Sequence, residues 1–282
     1  MPAHKPSIGV ATAAALLCFA ANSLFCRAAL GAGAIDAWTF TAVRIGSGAL
    51  VLLALRRRRS ISGEGSFASA LALWGYAAAF SLAYLRLATG IGALVLFASV
   101  QATMIGWSAW CGARPSAHEW RGFALAFVGL AALTLPGASL PDPLGLGLMS
   151  VAGVAWGVYS LRGGKSRAPL LATGANFALG VPLALGALIA ALLFTTLHVS
   201  LRGVLYALAS GALASGLGYS LWYLVLPRLG AVRAALVQLL VPVLAGMAGV
   251  LLLDEPVTTR LVVAGPLILG GVGFAVLGRA GR

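Results

Sequence analysis

From residue 7 onward the chain alternates between long apolar runs and short clusters of Gly, Pro and charge. A helix that crosses a membrane needs about 20 mainly apolar residues, because the hydrocarbon core is about 30 Å thick and each helical residue advances about 1.5 Å. Taking the Gly, Pro and charge clusters as breaks, the pattern predicts helices at 7–29, 36–55, 67–88, 91–112, 118–137, 143–162, 169–196, 202–226, 231–252 and 258–278. The linkers are short, so no soluble domain fits between them. The expected fold is an all-α integral membrane protein of ten transmembrane helices in one compact membrane domain. The first run follows MPAHKP and continues to about Arg27 without an A-x-A-like site ahead of a polar mature chain. It therefore reads as the first helix rather than a signal peptide.

Composition agrees with the pattern. The 282 residues are 61% hydrophobic and 9% charged, whereas soluble domains carry about 25% charged residues and about 45–50% apolar ones. A net charge of +13 raises nucleic acid as a partner. The basic residues sit at the ends of runs, however, where Arg and Lys set membrane orientation. With the N-terminus in the cytoplasm, fourteen of the nineteen fall inside: Lys5, Arg56 to Arg59, Arg114, Arg121, Arg162, Lys165, Arg167, Arg228, Arg233, Arg279 and Arg282. Arg27, Arg86, Arg202 and Arg260 fall outside, and Arg44 lies within a run. That asymmetry predicts both termini on the cytoplasmic side. Cys18, Cys26 and Cys111 form no CxxC, so neither a disulfide framework nor a metal site is expected. The expected partners are the bilayer and a small-molecule substrate, with no nucleic acid and no cofactor, for a chain acting as a monomer or homodimer.

The two halves echo each other. ATGIGALVLFASVQATMIGW leads to GARPSAHEWRG, and PRLGAVRAALVQLLVPVLAG leads to LLDEPVTTRLVVAG. Gln101 matches Gln238, Arg114-Pro115 matches Glu255-Pro256, and the stretch Asn22 to Phe25 meets Trp156 to Tyr159. Residues 1–139 and 140–282 thus read as two five-helix repeats. Five is odd, so the repeats must cross the membrane in opposite senses, as in secondary transporters whose sites lie near the midplane between inverted repeats. At this point the chain resembles the drug/metabolite transporter superfamily in its ten-helix EamA-type branch. The features that carry the resemblance are an arginine in helix 2 (Arg44), Pro242 in helix 9 followed by DEP, and a Gly-rich last helix. The first half departs from the family pattern, with GARP in place of an acidic residue and no proline in helix 4. Within the branch the chain looks like the YddG-type aromatic amino acid exporters. The resemblance implies export of amino acids, metabolites or drugs from the cytoplasm.

Polar and aromatic residues at helical spacing mark the candidate site, since residues three or four apart share a face. They are Asn22, Tyr76, Phe80, Tyr84, Gln101, Trp156, Tyr159, Tyr219, Trp222 and Gln238. Ser215 shares a face with Tyr219 and Trp222. Trp38, Trp74, Trp110 and Trp120 read as interfacial anchors. Gly153 and Gly157 form a GxxxG that suits close helix packing. Pro182, Pro242 and Pro266 are candidate kinks, with Pro242 a candidate hinge near Gln238.

All six acidic residues and all three histidines lie in loops or at the ends of runs. Proton-coupled pumps usually hold an ionisable group inside the membrane, so a facilitative carrier of neutral or zwitterionic solutes is expected. A lipid or glycolipid flippase, or a drug exporter, would fit the same pattern. An intramembrane hydrolase fits poorly, because Ser215-Gly216 lacks the G-x-S-x-G frame. Arg44, about 12 Å from the outer helix end, is the one charge at depth. A charge at the bilayer centre costs about 2.5–3.5 kcal/mol on insertion scales unless turned inward and paired. With no carboxylate available, the expected partners of Arg44 are backbone carbonyls, cavity water or a substrate carboxylate, the carbonyls giving it a structural or gating role and the carboxylate a substrate-binding one.

Overall fold

The computed structural model describes residues 7–56, 60–61, 63–87, 89–112, 115–134, 142–164, 166–252 and 259–277. The boundary at 139–140, the DEP at 254–256, and Lys5, Arg57 to Arg59, Arg114, Lys165, Arg279 and Arg282 lie outside these residues. The described chain is helical between loops. The first five units are α1 (Ile8–Cys26) with a π-helical turn at Arg27–Gly31, α2 (Ala37–Leu55), α3 (Phe67–Tyr84), α4 (Thr89–Trp110) and α5 (Ala117–Thr134). Then come α6 (Pro143–Gly163) and α7 (Pro169–Leu192). The next unit is α8 (Leu201–Ala209), a π-helical segment at Ser210–Leu217, and α9 (Gly218–Leu229). α10 (Ala231–Gln238) with α11 (Leu240–Leu252), and α12 (Thr259–Leu277), complete ten units among the described residues. Six of these segments are long and apolar enough to cross a membrane, and Ala231–Ala245 and Gly265–Phe274 are shorter apolar helices.

Helix starts follow local chemistry. The side chains of Ser7, Asp36, Ser66, Asp142 and Ser200 each accept a hydrogen bond from an amide in the first turn of the helix that follows, satisfying donors left open there. Pro143 and Pro169 sit in the first turns of α6 and α7, where their missing N–H costs nothing. Two expectations need correction. The eighth unit is not one α-helix, because the small residues SGALASGL take π geometry between α8 and α9. The ninth breaks at Leu239, three residues before Pro242. A proline removes the hydrogen bond to the carbonyl four residues back and clashes with it, here that of Gln238. Pro182 and Pro266 lie inside continuous helices.

The packing is paired. α2 lies against α7, and α5 against α12; α1 packs on α9 and α11, while α6 packs on α3 and α4. Glycines permit the closest approaches. A Cβ on Gly153 would come within 2.6 Å of the Leu96 carbonyl, and one on Gly157 within 2.8 Å of Thr103. On the other side of the bundle, a Cβ on Gly211 would overlap the Arg44 carbonyl and the Ser47 hydroxyl. α2 and the π segment therefore touch backbone to backbone.

Candidate functional site

Arg44 is 1% exposed. Its Nε donates to Ser215 Oγ at 3.0 Å, and its Nη2 donates to the hydroxyls of Tyr219 at 2.6 Å and Tyr76 at 3.4 Å. The guanidinium also lies over the rings of Tyr76, at 5.2 Å, and Phe80, at 5.9 Å, a favourable placement for a cation. Hydroxyls and ring faces thus take the place of the expected backbone carbonyls. Nη1 is buried and has no partner among the described residues. No described carboxylate pairs with this charge: Asp36 and Asp142 cap helices, Glu64 lies in the loop before α3, and Glu119 pairs with Arg233 at 3.9 Å.

The π segment explains the convergence. Its i→i+5 bonding sets residues five apart roughly one turn apart, so Ser210 and Ser215 both face inward and both are fully buried. Ser210 donates to Asn22 Oδ1 at 2.6 Å, and the Asn22 amide reaches the Tyr76 hydroxyl at 3.5 Å. Ser215 donates to the Tyr219 hydroxyl at 3.3 Å. The result is one buried polar network joining α1, α2, α3 and the eighth unit.

Beside this network lies a small cavity of about 30 Å³, lined by Phe19, Asn22, Ser23, Tyr76, Phe80, Leu96, Phe97, Trp156, Tyr219, Gln238 and Val241. Its walls are aromatic. Trp156 sits 4.6 Å from Tyr219, 5.1 Å from Tyr76 and 5.2 Å from Phe19, ring centre to ring centre. The Trp156 indole donates to Gln238 Oε1 at 2.6 Å, fixing the ring from the opposite helix. The lining comes from both halves of the chain.

Of the ten residues singled out by helical spacing, six line this cavity: Asn22, Tyr76, Phe80, Trp156, Tyr219 and Gln238. Tyr84 stacks edge-on against Phe80 at 4.7 Å, one step outside. Gln101 is elsewhere: its amide donates to the Ala235 carbonyl at 2.7 Å, tying α4 to α10. Gln238 answers toward Met104 Sδ at 3.4 Å, so the two glutamines share a helix contact but not the cavity. Tyr159 and Trp222 stand behind the first ring layer. Trp222 donates to Ser160 at 3.1 Å, and the Tyr159 carbonyl accepts from Tyr223 at 3.0 Å. Trp110, 87% exposed, and half-exposed Trp120 face outward as anchors would. Trp74 lies mid-helix against the core instead. Phe19, which carries three of the ring contacts, had no signal in the sequence, since one aromatic residue within an apolar run looks like ordinary packing.

The two ends of the bundle differ. At one end the loop before α2 is zipped to the loop before α8. Asp36 N donates to the His198 carbonyl at 2.8 Å, Ser200 N donates to the Ala34 carbonyl at 2.9 Å, and Ile35 bridges Val199. At the other end a cleft of about 550 Å³ opens among Glu64, Ser66, Ser69, Trp107, Arg162, Asn176 and Tyr223. Tyr223 of this cleft packs on Tyr159 at 4.9 Å, and Tyr159 packs in turn on Trp156 and Tyr219 of the aromatic cavity. Arg162 spans its wall, donating to Ser69 at 2.8 Å and Ser66 at 3.0 Å.

This arrangement has counterparts. A family model described as the EamA-like transporter family matches residues 143–277. An uncharacterized protein of Pseudomonas aeruginosa, PA1977, is 48% identical over 278 residues, covering 96% of this chain and 95% of that one. A crystal structure of a protein 19% identical superposes with a TM-score of 0.81, covering 98% of this chain and 100% of the other. That likeness is one of fold.

Proposed function

The chain belongs to the EamA-like transporter family of the drug/metabolite transporter superfamily, and on that premise we propose that it exports small zwitterionic metabolites, aromatic amino acids included, across the bacterial inner membrane by alternating access. The observation that carries this reading is Arg44: a buried cation with no described carboxylate, an unpartnered Nη1 amino group, and a cage of aromatic rings beside a cavity between the two halves. A carboxylate suits the guanidinium, with charge-assisted hydrogen bonds. An aromatic side chain suits the rings, at about 0.5–1.5 kcal/mol per pair beyond burial. This is the YddG-like reading of the family.

The helix pairings support residues 1–139 and 140–282 as inverted repeats. α2 with α7 and α5 with α12 are each helix and its counterpart, and α1 on α9 and α11 mirrors α6 on α3 and α4. A two-fold axis in the membrane plane generates those pairs. The cavity, at about 30 Å³, is far below the roughly 300–1,000 Å³ of a ligand pocket. We read this conformation as closed around its site, sealed at the Ile35–Val199 end and entered from the cleft end. By the positive-inside rule the cleft faces the cytoplasm. The described acidic residues and histidines lie at helix ends or in loops, which supports facilitated rather than proton-driven movement.

Counterflow in liposomes tests this. Labelled Phe and Trp should accumulate against unlabelled substrate, with no response to a pH gradient, while Lys should not, because its side chain brings a net positive charge among the rings of a site with no described carboxylate. Absence of flux for every amino acid tried would end the exporter reading. Dependence on the pH gradient would replace facilitation with proton coupling.

A further inference from the structure

We propose that Arg44 latches the two halves of the empty carrier together and that a substrate carboxylate opens the latch, so that the protein works chiefly as an exchanger of carboxylate-bearing solutes. The inference rests on the transport reading above and adds a mode to it. Arg44 and Tyr76 belong to the first half; Ser215 and Tyr219 belong to the second. The hydrogen bonds at 3.0 Å and 2.6 Å therefore tie the first half to the second.

When the halves rock apart, the guanidinium loses Ser215 and Tyr219. Nη1 has no acceptor even before that movement. A buried charge left short of partners is strongly unfavourable, so the empty carrier resists reorientation. Water that enters as the halves part is a poor substitute, since it brings no charge. A carboxylate brings both the charge and two acceptor oxygens. It reaches the latch through Tyr76 and Tyr219, which line the cavity and bond Arg44 from behind. Once there it replaces the crossing hydroxyls and travels with Arg44. Loaded carriers then reorient in either direction, and unloaded ones return slowly.

The test uses the full-length protein in liposomes and labelled L-phenylalanine. Uptake into vesicles preloaded with unlabelled L-phenylalanine should exceed uptake into empty vesicles at least about tenfold, the worth of one hydrogen bond to a charged group. Preloading with 3-phenylpropionate, which keeps the carboxylate and lacks the amine, should accelerate uptake. Phenethylamine, which lacks the carboxylate, should not. Tyr219→Phe and Ser215→Ala remove the crossing hydroxyls and should narrow the ratio of exchange to net uptake several-fold. Equal rates into empty and preloaded vesicles would overturn the proposal. So would acceleration by phenethylamine, or an unchanged ratio in both variants. If the protein carries neither phenylalanine nor any other amino acid in any mode, the export reading itself falls, and the latch with it.

Discussion

Arg44 combines two costs that are usually avoided: burial of a charge and absence of a counter-ion. Its partners are neutral hydroxyls on Ser215, Tyr76 and Tyr219 and the faces of two rings. Replacing it therefore separates insertion from transport. Arg44→Gln removes a charge that disfavours insertion by about 2.5–3.5 kcal/mol, so expression and membrane integration should hold or improve. Flux of carboxylate substrates should fall at least about tenfold, as loss of a charged hydrogen-bond donor implies. Expression measured by fluorescence-detected chromatography beside liposome flux reads both. A variant that kept full flux would remove Arg44 from the pathway. The depth of Arg44 was legible in the sequence, because one charge in an apolar run must turn inward. Its partners were not, since Ser215 lies 171 positions away and small polar residues in membrane helices carry no mark of what they bond. Gln101 shows the opposite failure: repeat matching with Gln238 suggested a shared cavity, but the Ala235 carbonyl lay closer.

The π segment at Ser210–Leu217 is what turns a sequence of small residues into half of the site. Helical periodicity assigns Ser210 and Ser215 to different faces, and π geometry returns both to the Asn22–Arg44 network. Composition gave no warning, because Gly, Ala and Ser fit either helix. The break at Leu239 was half legible, in that Pro242 marked a kink and placed it slightly late. Gly211 sets the distance between α2 and the π segment. Gly211→Ala would drive a methyl into the Arg44 carbonyl and the Ser47 hydroxyl, and backbone cannot give way as a side-chain tip can. Overpacking of this kind costs about 1–3 kcal/mol, so thermal stability and flux should fall together. Gly186→Ala in α7, with nothing within 4 Å, should leave both unchanged or raise stability slightly. Thermal unfolding in detergent compares the two. Equal melting temperatures would mean that the α2 contact is looser than drawn.

At the scale of the whole molecule, ten helical units were readable from hydropathy because a membrane imposes length and apolarity together. Which end is shut was not, because the seal is made by backbone groups of two loops far apart in sequence. Ile35 and Val199 face each other with the hydrogen bonds on either side of them, Asp36 N to His198 and Ser200 N to Ala34. That is the non-hydrogen-bonded pairing, in which Cα atoms stand about 4.5 Å apart, inside the roughly 4.4–6.8 Å range that a disulfide accepts. The double variant Ile35→Cys/Val199→Cys should therefore cross-link under mild oxidation without distorting the seal. If transport needs this end to open in every cycle, oxidation should stop both exchange and net flux, and a reductant should restore them, while the oxidised wild-type protein should be unaffected. Cross-linked protein that still carried substrate across the membrane would mean that the pathway does not pass between these loops. The halves would then have to part somewhere other than at the bonds that Arg44 makes between them.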